Sequence, residues 1–301
     1  MVPSVTPLLS TPALTLGRYR CPPEVSAWQE PNDIGPLAHV VFPERPVTIT
    51  RDTTGPLLGD RNWVMLYDPG QQYARQLVDP EGDECTFLAL SPTLHDDLMS
   101  SGEQARQAFR AGRALVGTGT WLGYQECLAA ADLAARPGGD PLDVESRLLE
   151  VLLAVLQDGN GDVGAAPARS IRGAAGRGRT QRRVHDACAI LATHLDERLT
   201  ISAVADAVGL SAYHFCRQFR AATGLTVHAY RERLRLRQAF ATCTSAPGQK
   251  LSDVAVAAGY ASHSHMTTRF REALRMSPTD VRDRYAGASS VAMRSGLPTI
   301  Y

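Results

Sequence analysis

The stretch LTISAVADAVGLSAYHFCRQFRAATG, residues 199–224, decides the fold of the last third of the chain, because its pattern occurs twice. The matching positions, with the second copy given after the first, are Ile201 and Leu251, Ala205 and Ala255, Gly209 and Gly259, Ser211 and Ser262, His214 and His265, Phe215 and Met266, Phe219 and Phe270, and Arg220 and Arg271. Each copy predicts a short helix, a tight turn at glycine and a second helix with an exposed polar face. That pattern is a helix-turn-helix, which puts a helix end into the DNA major groove. The tandem pair therefore predicts sequence-specific DNA binding by a transcription regulator.

The charges of the chain are unevenly distributed. The 301 residues carry a formal net charge of zero. However, residues 1–168 hold 11 Arg and 22 Asp or Glu, whereas residues 169–285 hold 19 Lys or Arg and 9 Asp or Glu. A basic segment usually has a polyanionic partner. Because the basic half also carries both helix-turn-helix patterns, we expect double-stranded DNA to be that partner.

The composition argues against several other classes of protein. No run of about 18 apolar residues predicts a transmembrane helix, and the N-terminus lacks the basic start of a signal peptide, so we expect a cytoplasmic protein with no membrane partner. The six cysteines form no Cys-x-x-Cys pair, which is typical of reduced core residues. The N-terminal half holds only two histidines, His39 and His95. We therefore expect no metal, no cofactor and no enzymatic activity.

The first half of the chain has the pattern of β-structure. Residues 1–35 are rich in Pro, Ser and Thr and predict an irregular arm. Beyond them, short apolar or alternating runs are separated by turn signals such as Asp68-Pro69-Gly70. The predicted strands are Ala38–Phe42, Val47–Arg51, Trp63–Tyr67, Tyr73–Val78 and Cys85–Leu90. Strands with a turn about every ten residues are typical of a small β-sandwich or barrel.

Helices follow the predicted strands, over Glu103–Arg113, Thr120–Arg136 and Pro141–Asp158. The last of these is apolar around more than one face, which is more than contact with a single core requires. On periodicity alone two interpretations remain open. Either other helices of the same domain enclose this helix, or it forms a dimer interface.

Composition also divides the chain. Residues 161–180 are rich in Gly, Ala and Arg without an apolar period, which predicts a flexible linker. The predicted division is an N-terminal domain over 1–160, the linker over 161–180, a DNA-binding domain over 181–287 and a disordered tail over 288–301. Within the DNA-binding domain the two units span 201–222 and 251–274, and a long helix from about residue 227 to 243 joins them. The predicted fold is α+β with two domains: a small β-barrel or sandwich with helices, then an all-α domain.

The second helix of each unit is expected to read base edges. Phe215 and Phe219 are four residues apart and therefore share a buried face, as do Met266 and Phe270 in the second unit. The residues left for the groove are Ala212, Tyr213, Cys216, Arg217 and Arg220 in the first unit and His263, Ser264, His265, Thr268 and Arg269 in the second. Arg217 is the best candidate for specificity, because an Arg side chain grips guanine O6 and N7 together. We expect Arg220, further along the helix, to contact phosphate.

Residues 182–285 resemble the DNA-binding domain of the AraC/XylS family of bacterial transcription regulators. The resemblance rests on the segments 199–224, 228–240 and 251–285. It also rests on a family signature, Gly-aromatic-x-Ser and then a helix ending in Phe-basic, which occurs here as Gly259, Tyr260, Ser262, Phe270 and Arg271. The resemblance implies two helix-turn-helix units, joined by one rigid helix, that read adjacent segments of the major groove.

Three positions depart from the family pattern. Arg275 stands where the family usually has Gly, and Thr226-Val227 replaces a Ser/Thr-Pro step. Thr268 stands where an arginine is common in the second reading helix. We therefore expect the first unit, with Arg217, to dominate base reading.

The resemblance also implies a role for the N-terminal half, which in this family is often a small cupin-type barrel followed by helices. Such a domain binds a small effector and dimerises. The residues expected to line its pocket are Trp28, His39, Arg51, Trp63, Tyr67 and Tyr73. The resemblance favours Pro141–Asp158 as the dimerisation helix of a homodimer. The contacts expected there are Leu148, Leu149, Leu152, Val155 and Leu156.

The leading hypothesis is a regulator that binds DNA through both units and RNA polymerase through its surface, gated by a small-molecule effector. An enzyme that uses this domain for targeting would need a patterned nucleophile or metal cluster, which the sequence lacks. The remaining alternative is a DNA-binding regulator that responds to oxidation or to a protein partner, with no metabolite ligand.

Overall fold

The computed structural model of the protein describes residues 3–28, 30–51, 55–134, 139–159 and 174–285. Within these ranges the N-terminal half contains strands and then helices, and the C-terminal half is helical. The strands are β1 (Ser4–Ser10), β2 (Leu14–Cys21), β3 (Asn32–Asp33), β4 (Ala38–Pro43), β5 (Val47–Arg51), β6 (Gly55–Gly59), β7 (Trp63–Tyr67), β8 (Gln72–Leu77), β9 (Asp83–Leu90) and β10 (Arg113–Leu115). The helices of this half are α1 (Pro92–Ser101), α2 (Glu103–Ala111), α3 (Thr118–Ala134) and α4 (Pro141–Asp158).

Two antiparallel sheets form the β-structure. One has six strands in the order β1-β2-β9-β4-β7-β10, and the other has four in the order β3-β8-β5-β6. Side chains from the two sheets meet between them; for example, the rings of Tyr67 on β7 and Tyr73 on β8 lie 5.1 Å apart. The five strands predicted from alternation are confirmed, because each corresponds to one of β4, β5, β7, β8 and β9.

The expectation of an irregular arm over residues 1–35 is wrong, because β1 and β2 form an antiparallel hairpin there. Leu14 and Leu16 of β2 are buried against the core, which gives this segment the period of a half-buried strand. Pro7 is tolerated because β1 is the edge strand of its sheet and the pairing register shifts between Pro7 and Leu9.

Helix α4 begins and ends at the predicted residues. The carboxylate of Asp140 caps it by accepting a hydrogen bond from the amide of Leu142 at 3.0 Å. α4 packs against α3, and Leu148, Leu152, Val155 and Leu156 are buried in the core of the same half of the molecule. The expectation that these four residues form a dimer interface is therefore wrong, because the chain's own elements already cover them. Leu149 is half-buried.

The C-terminal half contains seven described helices, which are α5 (Ala174–Thr193), α6 (Ile201–Ala207), α7 (Ala212–Thr223), α8 (Val227–Ser245), α9 (Leu251–Ala257), α10 (His263–Leu274) and α11 (Pro278–Tyr285). α5 begins at Ala174, so residues 174–180 of the predicted linker are helical. Alanine and arginine favour a helix there, although Gly176 and Gly178 disfavour one. The rest of that linker, residues 161–173, and the predicted tail over 288–301 lie outside the described residues.

Two hydrophobic clusters cross from one half of the molecule to the other. The first joins the space between the sheets to α5, α6 and α7, through residues such as Trp63, Val184 and Phe219. The second joins the outer face of the six-stranded sheet and α1–α4 to α9, α10 and α11, through residues such as Trp121 and Phe240. Each helix-turn-helix unit therefore shares a core with a different part of the N-terminal half. Within the described part of the chain, none of the helices has the length and apolar character needed to cross a bilayer.

Candidate DNA-binding surface

The first helix-turn-helix unit consists of α6, a turn at Gly209 and α7. The hydroxyl of Thr200 accepts a hydrogen bond from the amide of Ala203 at 3.1 Å and caps α6. Gly209 has φ +65°, a left-handed conformation that glycine adopts without a steric penalty. The hydroxyl of Ser211 then caps α7 by accepting from the amide of His214. Local interactions thus set where each helix begins and allow the turn between them.

Helix α7 has one buried and one exposed face. Phe215 and Phe219 are fully buried, with ring centroids 5.6 Å apart. On the opposite face Tyr213 is 71% exposed, and Ala212, Arg217 and Arg220 are also exposed. Among the residues that the structure describes, the Arg217 guanidinium has no carboxylate within ion-pair distance. Four of the five residues predicted to face the groove in this unit therefore lie on its open surface.

Cys216 is the exception in the first unit. Its side chain is half-buried and packs against the cluster that contains Phe215 and Phe219. The prediction that Cys216 projects outward is therefore wrong. It lies next to Phe215 along α7, at the edge of the buried stripe, so part of its side chain is enclosed.

The second unit repeats this arrangement with α9, Gly259 and α10. The hydroxyl of Ser262 accepts from the amide of His265 at 3.1 Å, and Met266 and Phe270 are buried. The residues on the exposed face near the start of α10 are His263, Ser264 and Thr268. The Thr268 hydroxyl donates to the Ser264 carbonyl at 3.1 Å, which satisfies its hydrogen within the helix.

Two residues predicted to read bases in the second unit are held by the protein instead. The ring of His265 is half-buried and lies 5.4 Å from the ring of Tyr260, nearly perpendicular to it. Arg269 donates to Glu272 at 2.8 Å and lies 3.5 Å from the carboxylate of Glu232 on α8. Both side chains are therefore engaged by the protein itself, although the Arg269 side chain is still 40% exposed, and their contact with the groove stays a prediction. The repeat-related position of Arg269 in the first unit, Gln218, is half-buried as well.

The two units are joined rigidly at the end of α5 as well as by α8. The carbonyl of Leu195, just after α5, accepts hydrogen bonds from Nε and Nη2 of Arg235 at 3.1 and 3.0 Å. A Cβ atom at Gly259 would lie 1.8 Å from this same carbonyl oxygen. The turn of the second unit therefore packs directly on the end of α5, which only glycine permits.

Arg237 on α8 is a residue that the sequence analysis missed. It is 1% exposed, and its guanidinium donates to the carbonyls of Arg61, Val116 at 2.9 Å and Gly117 at 3.2 Å. Burial lowers the pKa of Arg237 to about 9, and the like charge of Arg233 adds to the effect. An arginine on the apolar face of a predicted helix was the available signal. Three backbone carbonyls of the N-terminal half thus bind α8, the helix that joins the two units.

The residues predicted to line an effector pocket separate into two groups. Arg51, Tyr67 and Tyr73 come together between the sheets, with the Arg51 guanidinium 4.3 Å from the Tyr67 ring centroid. Trp28 borders this region, because the Arg75 guanidinium lies 5.5 Å from its ring centroid. Arg75 is itself buried and 3.4 Å from Asp83, so this ion pair fills part of the space between the sheets. No cluster of metal-ligating side chains occurs among the described residues.

His39 and Trp63 lie outside that group. The His39 ring is 5.3 Å from the Phe87 ring, and its Nδ1 is 2.9 Å from the Leu37 carbonyl. Burial lowers the pKa of His39. Trp63 is at the end of β7 nearest the helical half, where its indole N–H donates to the Tyr230 hydroxyl at 2.9 Å. The expectation that Trp63 belongs to the same pocket as Tyr67 and Tyr73 is not met, because its polar edge is occupied by α8.

The similarity of this chain to known proteins lies in its helical half. Residues 204–284 match a family model described as a helix-turn-helix domain. The chain is 34% identical over 92 residues to the HTH-type transcriptional activator RhaS of Escherichia coli (strain K12 / DH10B). That alignment covers 31% of this chain and 33% of the relative. The chain therefore spans about a third of the length of the curated relatives it matches.

Solved structures were also found. A transcriptional regulator with an AraC-type DNA-binding domain from Chromobacterium violaceum is 22% identical and covers 36% of this chain and 96% of its own, with a TM-score of 0.34. ToxT from Vibrio cholerae is 10% identical and covers 91% of this chain and 100% of its own, also with a TM-score of 0.34.

The matched relatives are regulators and not enzymes, in agreement with the expectation from the sequence. The tandem repeat, its capped and partly exposed reading helices, and the match over residues 204–284 point to one conclusion. Residues 204–284 form a helix-turn-helix domain similar to that of the transcriptional activator RhaS, in agreement with the resemblance to the AraC/XylS family expected from the sequence.

Proposed function

We propose that this protein is a sequence-specific DNA-binding transcription regulator whose two units contact successive major-groove segments. The observation that carries the proposal is the open face of α7, where Tyr213 and Arg217 are exposed beside the buried pair Phe215 and Phe219. A helix held by its apolar face and exposing an unpaired arginine suits guanine recognition. A chromosomal target also agrees with the cytoplasmic location expected from the sequence.

The proposal includes activation of transcription through RNA polymerase. Its support is the similarity to RhaS, a protein named as a transcriptional activator. The matched segment covers the DNA-binding half, so recruitment of polymerase by this chain is a separate part of the proposal. In vitro transcription from a selected site, with and without the protein, measures it directly. An increase in transcript supports activation, and a decrease identifies a repressor.

We further propose that a small effector, held by the N-terminal half in a cupin-like arrangement, gates DNA binding. Arg51, Tyr67 and Tyr73 are the residues best placed to contact it, because they converge between the two sheets. The competing hypothesis of a redox switch is less well supported. Cys216 is half-buried and the other cysteines are buried, and burial raises the pKa of Cys85, Cys127, Cys188 and Cys243. Such thiols react slowly. DNA affinity that does not change on oxidation would remove the redox hypothesis.

We also propose a homodimer, formed through a face of α4 other than the one expected from the sequence. Leu142, Leu149 and Leu153 lie on one side of α4 at i, i+7 and i+11, and Leu142 and Leu153 are 73% and 52% exposed. Leu133 at the end of α3 is exposed as well. Apolar side chains concentrated on one surface are typical of an association site. Sedimentation equilibrium of the full chain tests this, since a monomer at micromolar concentration would contradict it.

The experiment that tests the proposed function is selection of bound fragments from the source genome, followed by footprinting of the best site. We expect protection of two half-sites, each spanning two successive major-groove segments. The genes next to the site would then indicate the effector. Salt-sensitive binding with no preferred sequence would contradict the proposal and indicate an architectural role.

A further inference from the structure

A buried polar network joins the turn before β7 to helix α8. The hydroxyl of Tyr230 donates to a carboxylate oxygen of Asp60 at 2.5 Å and accepts from the indole N–H of Trp63 at 2.9 Å. The side-chain amide of Asn62 donates to the backbone carbonyl of Tyr230 at 3.1 Å. All four residues are buried. Because a buried polar group without a partner is costly, this network favours a single position of α8 against the turn.

The ring of Tyr230 continues the contact into the first reading helix. Its centroid is 5.3 Å from that of Phe219 on α7, and the two rings are nearly perpendicular at 88°. Phe219 in turn contacts Phe215, and both are fully buried. These two residues form the apolar face by which α7 is held. A movement of Tyr230 therefore acts on the face that sets the direction of the exposed Arg217.

The second unit is connected to the N-terminal half by other contacts. Met266 and Phe270 of α10 belong to the cluster that contains Trp121 and Phe240, whereas Tyr230 belongs to the cluster around α7. Polar contacts on this side include those of Glu126 of α3 with Arg284 at 3.0 Å and with the Tyr285 hydroxyl at 3.2 Å. The ring of Tyr230 therefore packs with the first unit and not with the cluster that holds Met266 and Phe270.

We propose that the turn Asp60–Trp63 positions the first reading helix through Tyr230, so that the N-terminal half controls base reading by the first unit separately from the second. Tyr230 is a positioning residue in this proposal, since it is buried and does not touch DNA. Only the expected effect on DNA binding rests on the proposed function. The coupling of the Asp60–Trp63 turn to α7 is expected in the DNA-free protein as well.

Hydrogen-deuterium exchange of the DNA-free full chain tests the coupling. The variants are Tyr230→Phe, which keeps the ring and removes the hydroxyl, and Trp63→Phe, which removes the donor on the N-terminal side. The matched control is Tyr124→Phe, because the Tyr124 hydroxyl is also buried and donates to Thr86 at 2.6 Å within the N-terminal half. We expect Tyr230→Phe to raise exchange over residues 212–223 about tenfold, because it removes the hydrogen bonds of the Tyr230 hydroxyl with Asp60 Oδ2 and with the Trp63 indole N–H. Exchange over residues 263–274 should stay within about twofold.

The outcomes separate positioning from general stability. Trp63→Phe should also raise exchange over residues 212–223, although less than Tyr230→Phe does. Tyr124→Phe should not raise exchange over one reading helix more than over the other. Equal increases over both reading helices in Tyr230→Phe would overturn the proposal, as would the same selective effect in the control. Footprinting then measures the consequence, since Tyr230→Phe should weaken protection of the half-segment read by the first unit. If the wild type has no preferred site, the proposed function fails while the exchange result still decides the coupling.

Discussion

The two helix-turn-helix units have the same pattern but different surroundings. In the first, both helices are capped by side chains, the turn after α7 is a glycine, and Arg217 is exposed with no ionic partner among the described residues. In the second, α9 has no side-chain cap, Arg275 occupies the left-handed position after α10, and Arg269 is paired with Glu272 and Glu232. The two units therefore share the pattern of their buried face and differ in the face expected to read DNA. Base recognition is therefore expected to be concentrated in the first unit.

The largest difference should appear in DNA specificity. Arg217→Ala is expected to weaken binding to the selected site by about 1–3 kcal/mol and to relax specificity at one base pair. The repeat-related change Thr268→Ala should cost less than about 0.5 kcal/mol, because the hydroxyl already bonds within α10. Titrations on the selected site and on a scrambled duplex measure both. Arg220→Ala is the control for phosphate contact, and it should weaken both duplexes alike. Equal losses on the two duplexes for Arg217→Ala would contradict its assignment.

The second difference concerns the pH dependence of the link to the first unit. Burial raises the pKa of Asp60 to about 6, although the Tyr230 hydroxyl donates to it. In an unfolded chain the same carboxyl has a pKa of about 4. Because the folded protein holds this proton more tightly, the stabilising contribution is complete below about pH 4 and is lost as the pH rises through about 6.

Asp60→Asn tests this, because its side chain stays neutral at every pH. The free energy of unfolding of the variant, relative to the wild type, should rise by about 2 kcal/mol between pH 4 and pH 7. Urea unfolding at four pH values measures the difference. Asp83→Asn is the control, since burial also raises the pKa of Asp83 to about 6 but its partner Arg75 lies between the sheets. Only Asp60→Asn should alter the pH dependence of amide exchange over residues 212–223.

The sequence predicted the helices of both units closely, because their boundaries are local. Ser211, Ser262 and the two turn glycines fix where each helix begins and ends. The contacts that distinguish the units are not local. The Tyr230 hydroxyl donates to Asp60, which is 170 residues away in the sequence, so the local sequence around either residue does not indicate the pair. Arg269 has the residue type expected of a DNA contact, and only the fold places Glu232 beside it.

The incorrect predictions in the N-terminal half have the same cause, since they also depend on contacts between distant parts of the sequence. α4 is apolar on two sides because α3 and the other elements of the same cluster cover Leu148 and Val155, and periodicity cannot distinguish this from a partner chain. β1 was not predicted because it contains Pro7, which an edge strand tolerates. Patterns therefore identified the type of element, and the partner of each apolar face required the structure.

The third difference is the stability of the first helix in each unit. The Thr200 hydroxyl caps α6, whereas Lys250 at the corresponding position of α9 provides no side-chain hydrogen bond. Thr200→Ala should lower the free energy of unfolding by about 1 kcal/mol, and Lys250→Thr should raise it by about the same amount. Lys250→Ala is the control, because it removes the charge without adding a cap. Urea unfolding measures all three. A Lys250→Thr protein no more stable than Lys250→Ala would mean that solvent already satisfies the start of α9.

The smallest difference lies at the ends of the reading helices. Arg275 has φ +59° in the left-handed region, and the repeat-related residue of the first unit is Gly224 with φ +71°. Both amides donate back to the helix, Arg275 to Arg271 at 3.2 Å and Gly224 to Arg220 at 2.8 Å. Because a side chain is disfavoured in this conformation, Arg275→Gly should stabilise the protein by about 0.5–1 kcal/mol. Arg275→Ala retains the unfavourable conformation and should give no gain. Thermal unfolding of the two variants decides the point, since equal stability would mean that the Arg275 side chain, and not its backbone, sets the energy of this turn.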